Sequence, residues 1–507
     1  MRHFYPILAF AVSLLCCCGK TPDTPVTPTP QAPTAITVNP TSLSVVQAAG
    51  SYDLTVTAPA RPTLTLPAWV TKTDGTYKDY KITFKLNVAA NDSYEVRSAD
   101  IAVKANGAAD VIVKVTQAAK EVVVDPILPD NAAVARTMEL GLGWNMGNHF
   151  DAYRDGVADE TAWQGKKATQ ATFDGVKAKG FTSVRIPATW MGHIGDAPDY
   201  TLDEEWLNRI YEVVGFAENA GLNVILNTHH DENHGETDGY HWQNLKAAVD
   251  DEEVNTLIKK EIAAVWSQIA TKFKDKGHFL MLESFNELIY GDQWYSSSDT
   301  EKKCAVINEW NQVFVDAVRA TGGNNETRWL GVPGYAASPN FLQYLTVPND
   351  PAKKTMLAFH CYDPYDYTIG EKQLANWGHT GTAYKLGEEE IKTLFNSIYT
   401  NYISKNIPIY MGEFGCSMRN KNDAKAWAYY LYYLEYFVKA SRAFGIAGFL
   451  WDNGADGYGQ ERHGYIDHGS GEYTTNGEEP VKAMVKAWST TDATYTMQSV
   501  YDSAPVF

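Results

Sequence analysis

Runs in which every second residue is apolar fill the chain between residues 35 and 119. They include SLSVV, YDLTVTA, YKITFKLNV, ADIAVKA and ADVIVKV, which are rich in Val, Thr and Ile. Gly, Asn, Asp and Pro separate the runs, which recur about every 8 to 15 residues. Short alternating strands at this spacing are typical of a β-sandwich. We therefore predict a small all-β, immunoglobulin-like sandwich over residues 35–119.

The hydrophobic pattern changes after residue 130, where continuous apolar runs alternate with longer amphipathic stretches. The amphipathic stretches predict helices, several of them closed by Gly as in AKGF and NAGL. Eight strand–helix units predict a (β/α)8 TIM barrel over residues 131–507. The predicted strands are 140–148, 183–190, 223–230, 279–287, 327–334, 355–362, 408–415 and 447–454.

A doubly wound sheet is the structural alternative to the barrel. Such a sheet would place a glycine-rich, phosphate-binding turn directly after its first strand. The glycines of GLGWNMGN do not have the spacing of that turn, so the pattern favours the barrel and argues against a nucleotide site.

The first 18 residues, MRHFYPILAFAVSLLCCC, have a basic start and an apolar run too short to span a bilayer. Their end resembles a bacterial lipobox, so we predict a lipoprotein signal peptide over residues 1–18, lipidated on Cys17 or Cys18. An ordinary cleaved signal peptide is the alternative. The Thr- and Pro-rich residues 19–34 predict an extended linker, and residues 120–130 predict a second one.

Length, charge and cysteine content limit the possible functions. A chain of 507 residues exceeds one ordinary core, which agrees with two folded domains. The formal net charge of −18 argues against a nucleic-acid partner, because such binding needs clustered Lys and Arg. After the signal peptide only Cys304, Cys361 and Cys416 remain, and they do not form a disulfide framework.

Polar side chains collect at the carboxyl ends of almost every predicted barrel strand, where an α/β barrel carries its active site. Burying so many polar groups at one rim would cost free energy unless they share a function. Two of them are carboxylates, Glu287 and Glu413, at the ends of the fourth and seventh strands. The others are Asn145, Asn148, Arg185, His229, His230, Asn286, His360, Tyr362, Trp451 and Asn453.

A pair of carboxylates at two strand ends is what glycoside hydrolysis requires. The barrel interior is only side-chain wide, so we expect the two carboxyl groups at the retaining separation of roughly 5 to 5.5 Å. Arg185 and the Tyr362 hydroxyl would keep one carboxylate ionised, whereas the other, in a more apolar setting, would keep its proton. This reasoning assigns Glu413 as the nucleophile and Glu287 as the general acid and base.

Several stretches together resemble glycoside hydrolase family 5, most closely its subfamily 4 of endoglucanases and xyloglucanases. They are LGLGWNMGNHFDA, ETAWQGKKAT, KGFTSVRIPATWMGHIGDAPDYTLDEEWLNRI, GLNVILNTHHD, FLMLESFNE, FHCYDPYDY, MGEFG and GFLWDNG. The resemblance implies the same roles for Glu287 and Glu413. It also implies a glucose subsite in which Asn286 contacts the 2-hydroxyl and Trp451 stacks under the ring, lined further by Arg185, His229, His360 and Tyr362.

The resemblance also implies aromatic platforms on the loops, for which Trp163, Trp190, Trp242, Trp294 and Tyr295 are candidates. The chain departs from the family pattern at Gln164 and Leu288, both in loops that shape the groove. The HHDENH cluster from His229 to His234 offers possible metal ligands but lacks the H-E-x-x-H spacing. We therefore predict neither a metal nor an organic cofactor.

Residues 35–119 resemble the BACON family in NPTSLSVVQAAG, PAWV and VKVTQAA. The family name suggests carbohydrate binding, but the segment has few aromatic residues to stack on sugars, namely Trp69, Tyr77, Tyr80 and Tyr94. A spacer role is therefore favoured over a sugar-binding role.

Together these features predict a monomeric, retaining, endo-acting hydrolase of internal β-1,4-glucosidic bonds in plant cell-wall polysaccharide. Xyloglucan, mixed-linkage glucan and cellulose remain open as substrates. The alternatives are an endo-β-mannanase and a catalytically silent glycan-binding protein on the same scaffold. The signal peptide predicts an outer-membrane lipoprotein that faces the cell surface or the periplasm.

Overall fold

The computed structural model describes residues 31–93, 95–120, 124–236, 239–295, 298–381 and 387–507. The predicted signal peptide, Cys17, Cys18 and most of the first linker lie outside the described residues. The chain divides into two compact units, Met1–Val122 and Val123–Phe507. No helix in the described part of the chain is long and apolar enough to cross a membrane.

The first unit is a sandwich of two four-stranded sheets, ordered β1-β3-β6-β5 and β2-β8-β7-β4. Inward-facing residues of both sheets, such as Leu54, Phe84, Ile101 and Val113, form one buried apolar cluster. The alternation in the sequence thus places one face of each strand in the core, and the predicted sandwich is confirmed. Its strands are β1 (Thr37–Asn39), β2 (Ser42–Val45), β3 (Gly50–Thr57), β4 (Thr63–Thr65), β5 (Val70–Asp74), β6 (Lys81–Val88), β7 (Arg97–Lys104) and β8 (Val111–Gln117).

The second unit contains a closed barrel of eight parallel strands, which confirms the predicted TIM barrel. Each of the eight apolar runs supplies one strand, and a two-stranded hairpin of β10 (Tyr153–Arg154) and β11 (Val157–Ala158) follows the first. The barrel strands are β9 (Leu142–Met146), β12 (Ser183–Ile186), β13 (Asn223–Asn227), β14 (Leu280–Glu283), β15 (Leu330–Pro333), β16 (Thr355–Cys361), β17 (Ile409–Phe414) and β18 (Ala447–Asp452).

Helices surround the barrel strands and bury their apolar faces against them. The first predicted strand begins too early, because residues up to Leu140 belong to a helix that ends at Gly141, with φ of 67°. The helices are α1 (Ala132–Leu140), α2 (Gln170–Ala178), α3 (Glu204–Asn219), α4 (Leu245–Asp250), α5 (Glu252–Phe273), α6 (Thr300–Ala320), α7 (Tyr365–Thr368), α8 (Glu388–Asn401), α9 (Ala424–Ala443), α10 (Glu478–Ser489) and α11 (Met497–Asp502).

A separate apolar cluster fills the lower part of the barrel interior. It includes Ile225, Met281, Met356, Tyr410 and Phe449, all fully buried. Gly143 leaves room for this packing, since a Cβ there would lie 2.1 Å from the Phe449 ring. Because the interior is filled from below, polar side chains can meet only at the carboxyl ends of the strands.

Arg328 closes the carboxyl-terminal end of α5 from a fully buried position. Its guanidinium donates to the carbonyl oxygens of Phe273, Lys276, Gly277 and Leu280 at 2.8–3.0 Å and to Oδ1 of Asn325 at 2.6 Å. Burial, helped by Arg319, lowers the pKa of Arg328 to about 10, so the group stays charged at neutral pH.

We expect Arg328→Met to lower the free energy of unfolding of the barrel unit by about 3 kcal/mol or more, because it leaves several buried carbonyl groups without a hydrogen-bond donor. Urea denaturation followed by tryptophan fluorescence measures this loss. Arg154→Met is the matched control, since Arg154 is exposed and donates to a single carbonyl, that of Ala162. Equal urea midpoints for the two variants would contradict the stabilising role of Arg328.

Candidate active site

A cleft of about 580 Å³ opens at the carboxyl ends of the barrel strands. Eight of the residues that the sequence predicts for the site line it: Glu287, Glu413, His229, His230, Asn286, His360, Tyr362 and Trp451. The other lining residues are Trp294, Tyr295, Ala336, Ser338, Pro339, Asn340, Asp363, Tyr365, Ile369, Glu461 and His463.

Glu413 lies at the end of β17, almost fully buried. Nη1 of Arg185 donates to its Oε1 at 2.8 Å, and the Tyr362 hydroxyl donates to its Oε2 at 2.8 Å. Burial alone would raise the pKa of Glu413, but the charges of His360 and Arg185 and these hydrogen bonds hold it below its ordinary value. At neutral pH Glu413 is therefore an ionised carboxylate with both oxygens held in place.

Glu287 lies opposite, with its Oε1 2.6 Å from Nδ1 of His360. An oxygen of Glu287 and an oxygen of Glu413 lie within 4.8 Å of each other. The structure therefore corrects the expected apolar setting of Glu287, because its nearest polar partner is an imidazole. Burial lowers the pKa of His360, but Glu413 and Glu287 outweigh burial and raise it.

Glu283 is a site residue that the sequence reasoning missed. It accepts hydrogen bonds from Nε and Nη2 of Arg185 at 2.9 and 2.7 Å, and from Asn227 at 2.9 Å. The hydroxyl of Tyr410 also contacts it from the apolar interior. An acidic residue inside the apolar run FLMLESFNE was the available signal, since a buried charge requires a partner.

Arg185 connects Glu283 to the rest of the site. Its Nη1 and Nη2 also donate to Oδ1 of Asn145 at 3.1 Å and to Oδ1 of Asn286 at 3.0 Å. Asn145 in turn donates to the carbonyl of Gly412. The guanidinium thus lies beneath the cleft, where it fixes the direction of two amides and one carboxylate.

A second charged cluster borders the cleft beside Asn286. Nδ2 of Asn286 donates to Oε1 of Glu232 at 3.3 Å, and His230 lies between Glu232 and Asp151 at 3.7 and 3.6 Å. Burial lowers the pKa of His230, but these two carboxylates raise it to about 9. Because Nη2 of Arg185 and Oε1 of Glu232 bind opposite ends of the Asn286 amide, its oxygen and nitrogen have fixed positions.

Other predicted residues lie outside the cleft lining. Arg185 is buried beneath it, and Trp163 is exposed, with its ring 5.7 Å from that of His230. Asn148 has a left-handed backbone with φ of 56°, and its backbone N–H donates to Asp151. Asn453 donates to the carbonyl of Glu461 and accepts from the amides of Ala455 and His463, so its side chain organises a loop.

The aromatic candidates divide into exposed and buried rings. Trp294 and Tyr295 are exposed and line the cleft, whereas Trp190 and Trp242 are buried, which corrects the expectation that they form platforms. Trp451 stacks at 7° on His229 with ring centres 5.9 Å apart. Gly147 permits this position, since a Cβ there would lie 2.7 Å from the Trp451 ring.

Two groups of side chains place possible metal-ligand atoms within 4.8 Å of one another: Glu287, His360 and Glu413, and Asp151, His229 and His230. In the second group, Nδ1 of His229 accepts from the amide of Asn227 at 3.2 Å, so its Nε2 carries the proton. A metal would have to displace that proton.

We expect His360→Gln to move the acidic limb of the kcat/KM profile to higher pH. The charge of His360 lowers the pKa of Glu413, so its loss requires a higher pH to ionise that carboxylate. The pH dependence of kcat/KM on a soluble substrate measures the shift. His278→Gln, at the opposite end of the barrel, is the control, and an unmoved acidic limb in His360→Gln would contradict the electrostatic coupling.

A parallel eight-stranded barrel that holds an ionised glutamate and a second glutamate across a cleft at its strand ends has the site of a glycoside hydrolase. Residues 148–457, more than half of the chain, match the family model of cellulase, glycosyl hydrolase family 5. The chain belongs to that family. Residues 36–118 match the model of the N-terminal BACON domain.

Known proteins share this architecture. Endoglucanase A of Ruminococcus albus is 35% identical over 67% of this chain and 88% of its own. A Bacteroidetes-affiliated family 5 cellulase linked with a polysaccharide utilization locus is 45% identical, with a TM-score of 0.72, over 74% of this chain and 98% of its own. A Bacteroides ovatus family 5 xyloglucanase in complex with a heptasaccharide is 26% identical, with a TM-score of 0.62, over 90% of this chain and 100% of its own.

Proposed function

We propose that this protein is a retaining, endo-acting β-1,4-glucanase in which Glu413 is the nucleophile and Glu287 the acid and base. The observation that carries the proposal is the close approach of the two carboxylates, whose nearest oxygens lie within 4.8 Å. An inverting enzyme needs space for a water molecule between one carboxylate and the sugar, and this separation leaves no such space.

In the first step an oxygen of Glu413 attacks the anomeric carbon, while Glu287 protonates the glycosidic oxygen that leaves. Arg185 and Tyr362 support the ionised state of Glu413 through the two hydrogen bonds described above. In the second step Glu287, now a carboxylate, takes a proton from water, which displaces Glu413 and restores both groups.

The remaining lining residues suit an oxocarbenium-like transition state. We assign the fixed amide of Asn286 to the 2-hydroxyl of the attacked glucose, and the half-buried Trp451 ring offers a flat surface for the sugar. Arg185 acts from beneath as a positioning residue, because Glu413 and Asn286 separate it from the substrate.

The substrate class we propose is plant cell-wall β-glucan: xyloglucan, mixed-linkage glucan or cellulose. Exposed rings of Trp294, Tyr295 and Tyr365 along the cleft support a polymeric glycan, since each can stack on a further sugar unit. The similar endoglucanase and xyloglucanase support glucan over mannan.

The test is a reducing-end assay of the purified protein on tamarind xyloglucan, barley mixed-linkage glucan, carboxymethyl cellulose and glucomannan in parallel. Hydrolysis of at least one β-glucan, with the β-anomer formed first by NMR, is the expected result. Initial formation of the α-anomer would contradict the retaining mechanism. No hydrolysis of any of the four would support a glycan-binding protein. Faster hydrolysis of glucomannan than of the other three would support a mannanase.

The sandwich unit we assign as a spacer. Among described residues 31–93 and 95–120, the exposed large apolar side chains are Val46, Val96 and Ile112, and no aromatic ring is exposed. Trp69 packs against the core and lies under the guanidinium of Arg97, 4.5 Å from its ring centre. Sugar-binding faces usually present exposed aromatic rings, so this surface suits a tether better.

Deleting residues 35–119 should leave kcat/KM on soluble oligosaccharides within about twofold of the full-length value, because each unit has its own core. Kinetics of the two proteins on cellotetraose measure this directly. A clear loss on soluble substrate, or lost retention on insoluble glucan, would instead favour a binding role.

The lipobox-like end of the signal sequence supports an outer-membrane lipoprotein, with the Thr- and Pro-rich residues holding the folded units away from the membrane. Metabolic labelling with palmitate of the wild type and of variants with Cys17 or Cys18 replaced by Ser tests this proposal. Labelled protein in every variant, or in none including the wild type, would contradict lipidation on one of these two cysteines.

A further inference from the structure

The loop that follows β18 adds two polar side chains to the cleft that the catalytic scheme does not use. They are Glu461 and His463, which line the cleft together with Tyr362, Glu413 and Trp451. Glu461 adds a carboxylate to the cleft besides the catalytic pair and Asp363, and His463 is a fully buried imidazole.

One nitrogen of His463 has no hydrogen-bond partner in the part of the chain that the structure describes. Its Nε2 lies 3.4 Å from the hydroxyl of Ser417, whereas Nδ1 is buried and has no hydrogen-bond partner among the described residues. Nδ1 lies beside Gly415, where an added Cβ would be 3.2 Å from Nδ1 and 3.6 Å from the Tyr362 ring. An unpaired buried nitrogen costs free energy that a hydrogen bond to a substrate hydroxyl would recover.

His463 is neutral under working conditions, since burial lowers its pKa to about 4. A neutral imidazole carries one proton, so Nδ1 can donate when the Ser417 hydroxyl donates to Nε2. The exposed carboxylate of Glu461 can only accept when it is ionised. A sugar hydroxyl, which both donates and accepts, matches this combination.

The backbone of the loop is arranged to present Glu461. Glu461 has a left-handed conformation with φ of 57°, which is unfavourable for a residue with a side chain. Asn453 holds this geometry, because its side chain donates to the carbonyl of Glu461 at 3.0 Å and accepts from the amide of His463 at 3.2 Å. Strain maintained by a dedicated side chain is typical of functional loops.

We propose that Glu461 and His463 form a hydroxyl-binding pair for the glucosyl unit that lies beside Trp451. The inference rests on the proposed β-glucanase function and adds a specificity determinant to it. The hydroxyl would donate to the carboxylate of Glu461 and accept from Nδ1 of His463. A glucan that carries a substituent on this hydroxyl would lose both contacts.

The test compares wild type, Glu461→Gln and His463→Phe on cellotetraose and on a series of its monodeoxy analogues. Each variant should lose about tenfold in kcat/KM on cellotetraose, the equivalent of one good hydrogen bond. For the one analogue that lacks the contacted hydroxyl, the wild type should lose a similar factor and the variants should lose no more. Arg462→Gln, on the exposed neighbouring residue outside the cleft lining, is the matched control.

Two results would overturn the proposal that Glu461 and His463 bind a sugar hydroxyl. One is kcat/KM of both variants within twofold of the wild type; the other is an equal loss on every deoxy analogue, which would indicate a distorted loop. Because Glu461 is exposed, its variant should fold even if His463→Phe does not, and melting temperatures check this. Turnover by the wild type separates the two hypotheses, since failure of the proposed function would abolish it in every protein tested.

Discussion

Glu413→Ala should lower kcat on every β-glucan by at least about four orders of magnitude, the usual cost of losing a nucleophile. The carboxylate is ionised and fixed by Arg185 and Tyr362, and the alanine side chain offers no nucleophile to the anomeric carbon. Glycan affinity should change little, because the sugar-stacking surface of Trp451 and the exposed rings of Trp294 and Tyr295 remain. Steady-state kinetics and calorimetric titration with cellotetraose measure the two quantities.

Chemical rescue distinguishes a lost nucleophile from a damaged fold. Removing the carboxylate leaves space for a small anion, so added azide should restore turnover of an aryl cellobioside and give the α-glycosyl azide as product. The same anion should not accelerate Glu212→Gln, a control at a surface glutamate on α3. A Glu413→Ala protein that retained more than a few percent of its activity without azide would contradict the nucleophile assignment.

Arg185→Met should destabilise the barrel unit by about 3 to 5 kcal/mol and remove most activity. Arg185 is fully buried and is the cation shared by Glu283 and Glu413, so its loss leaves two buried carboxylates without this partner. Without the guanidinium, burial raises the pKa of Glu413 in the folded state. A folded-state pKa above the unfolded value destabilises at high pH, so the deficit should shrink as the pH falls from 7 to 5.

Denaturant unfolding at several pH values measures this effect. Arg185→Lys keeps the positive charge but loses the planar fork, so we expect a smaller loss of stability and still a large loss of activity. Adding Glu283→Leu to Arg185→Met should recover part of the stability, because one unpaired charge is then removed. A deficit for Arg185→Met that does not change with pH would contradict the electrostatic origin.

The sequence predicted the residues near the reacting atoms more completely than the residues that hold them. Glu287, Glu413, Asn286, His360, Tyr362 and Trp451 each lie at or just beyond the carboxyl end of an apolar strand, and the period of that pattern is a local property. Glu283 was overlooked because the predicted strand extended to Glu287, whereas the observed strand ends at Glu283, whose partner Arg185 is 98 residues away. Asn453 has the same strand-end position as the predicted residues, but its amide is used by the loop that carries Glu461.

The local pattern of the sequence also did not predict the environment of Glu287. Its position after a strand predicted a carboxyl group in the site, yet the nearest polar partner, His360, is 73 residues distant along the chain. Burial of Trp190 and Trp242 also depends on which loops cover them, whereas their aromatic character alone was consistent with exposed platforms. Side-chain surroundings of this kind are set by contacts between distant segments.

By itself, the amino-acid sequence determined the alternation of apolar and polar positions, and hence a sandwich followed by an eight-stranded barrel with glutamates at two strand ends. Strand and helix periods are encoded within a few residues, so they can be recognised without knowledge of the rest of the chain. The tertiary structure alone decided the pairing of Glu287 with His360, the support from Glu283, and the entry of Glu461 and His463 into the cleft. These properties depend on burial and on distances between segments that meet only when the barrel closes.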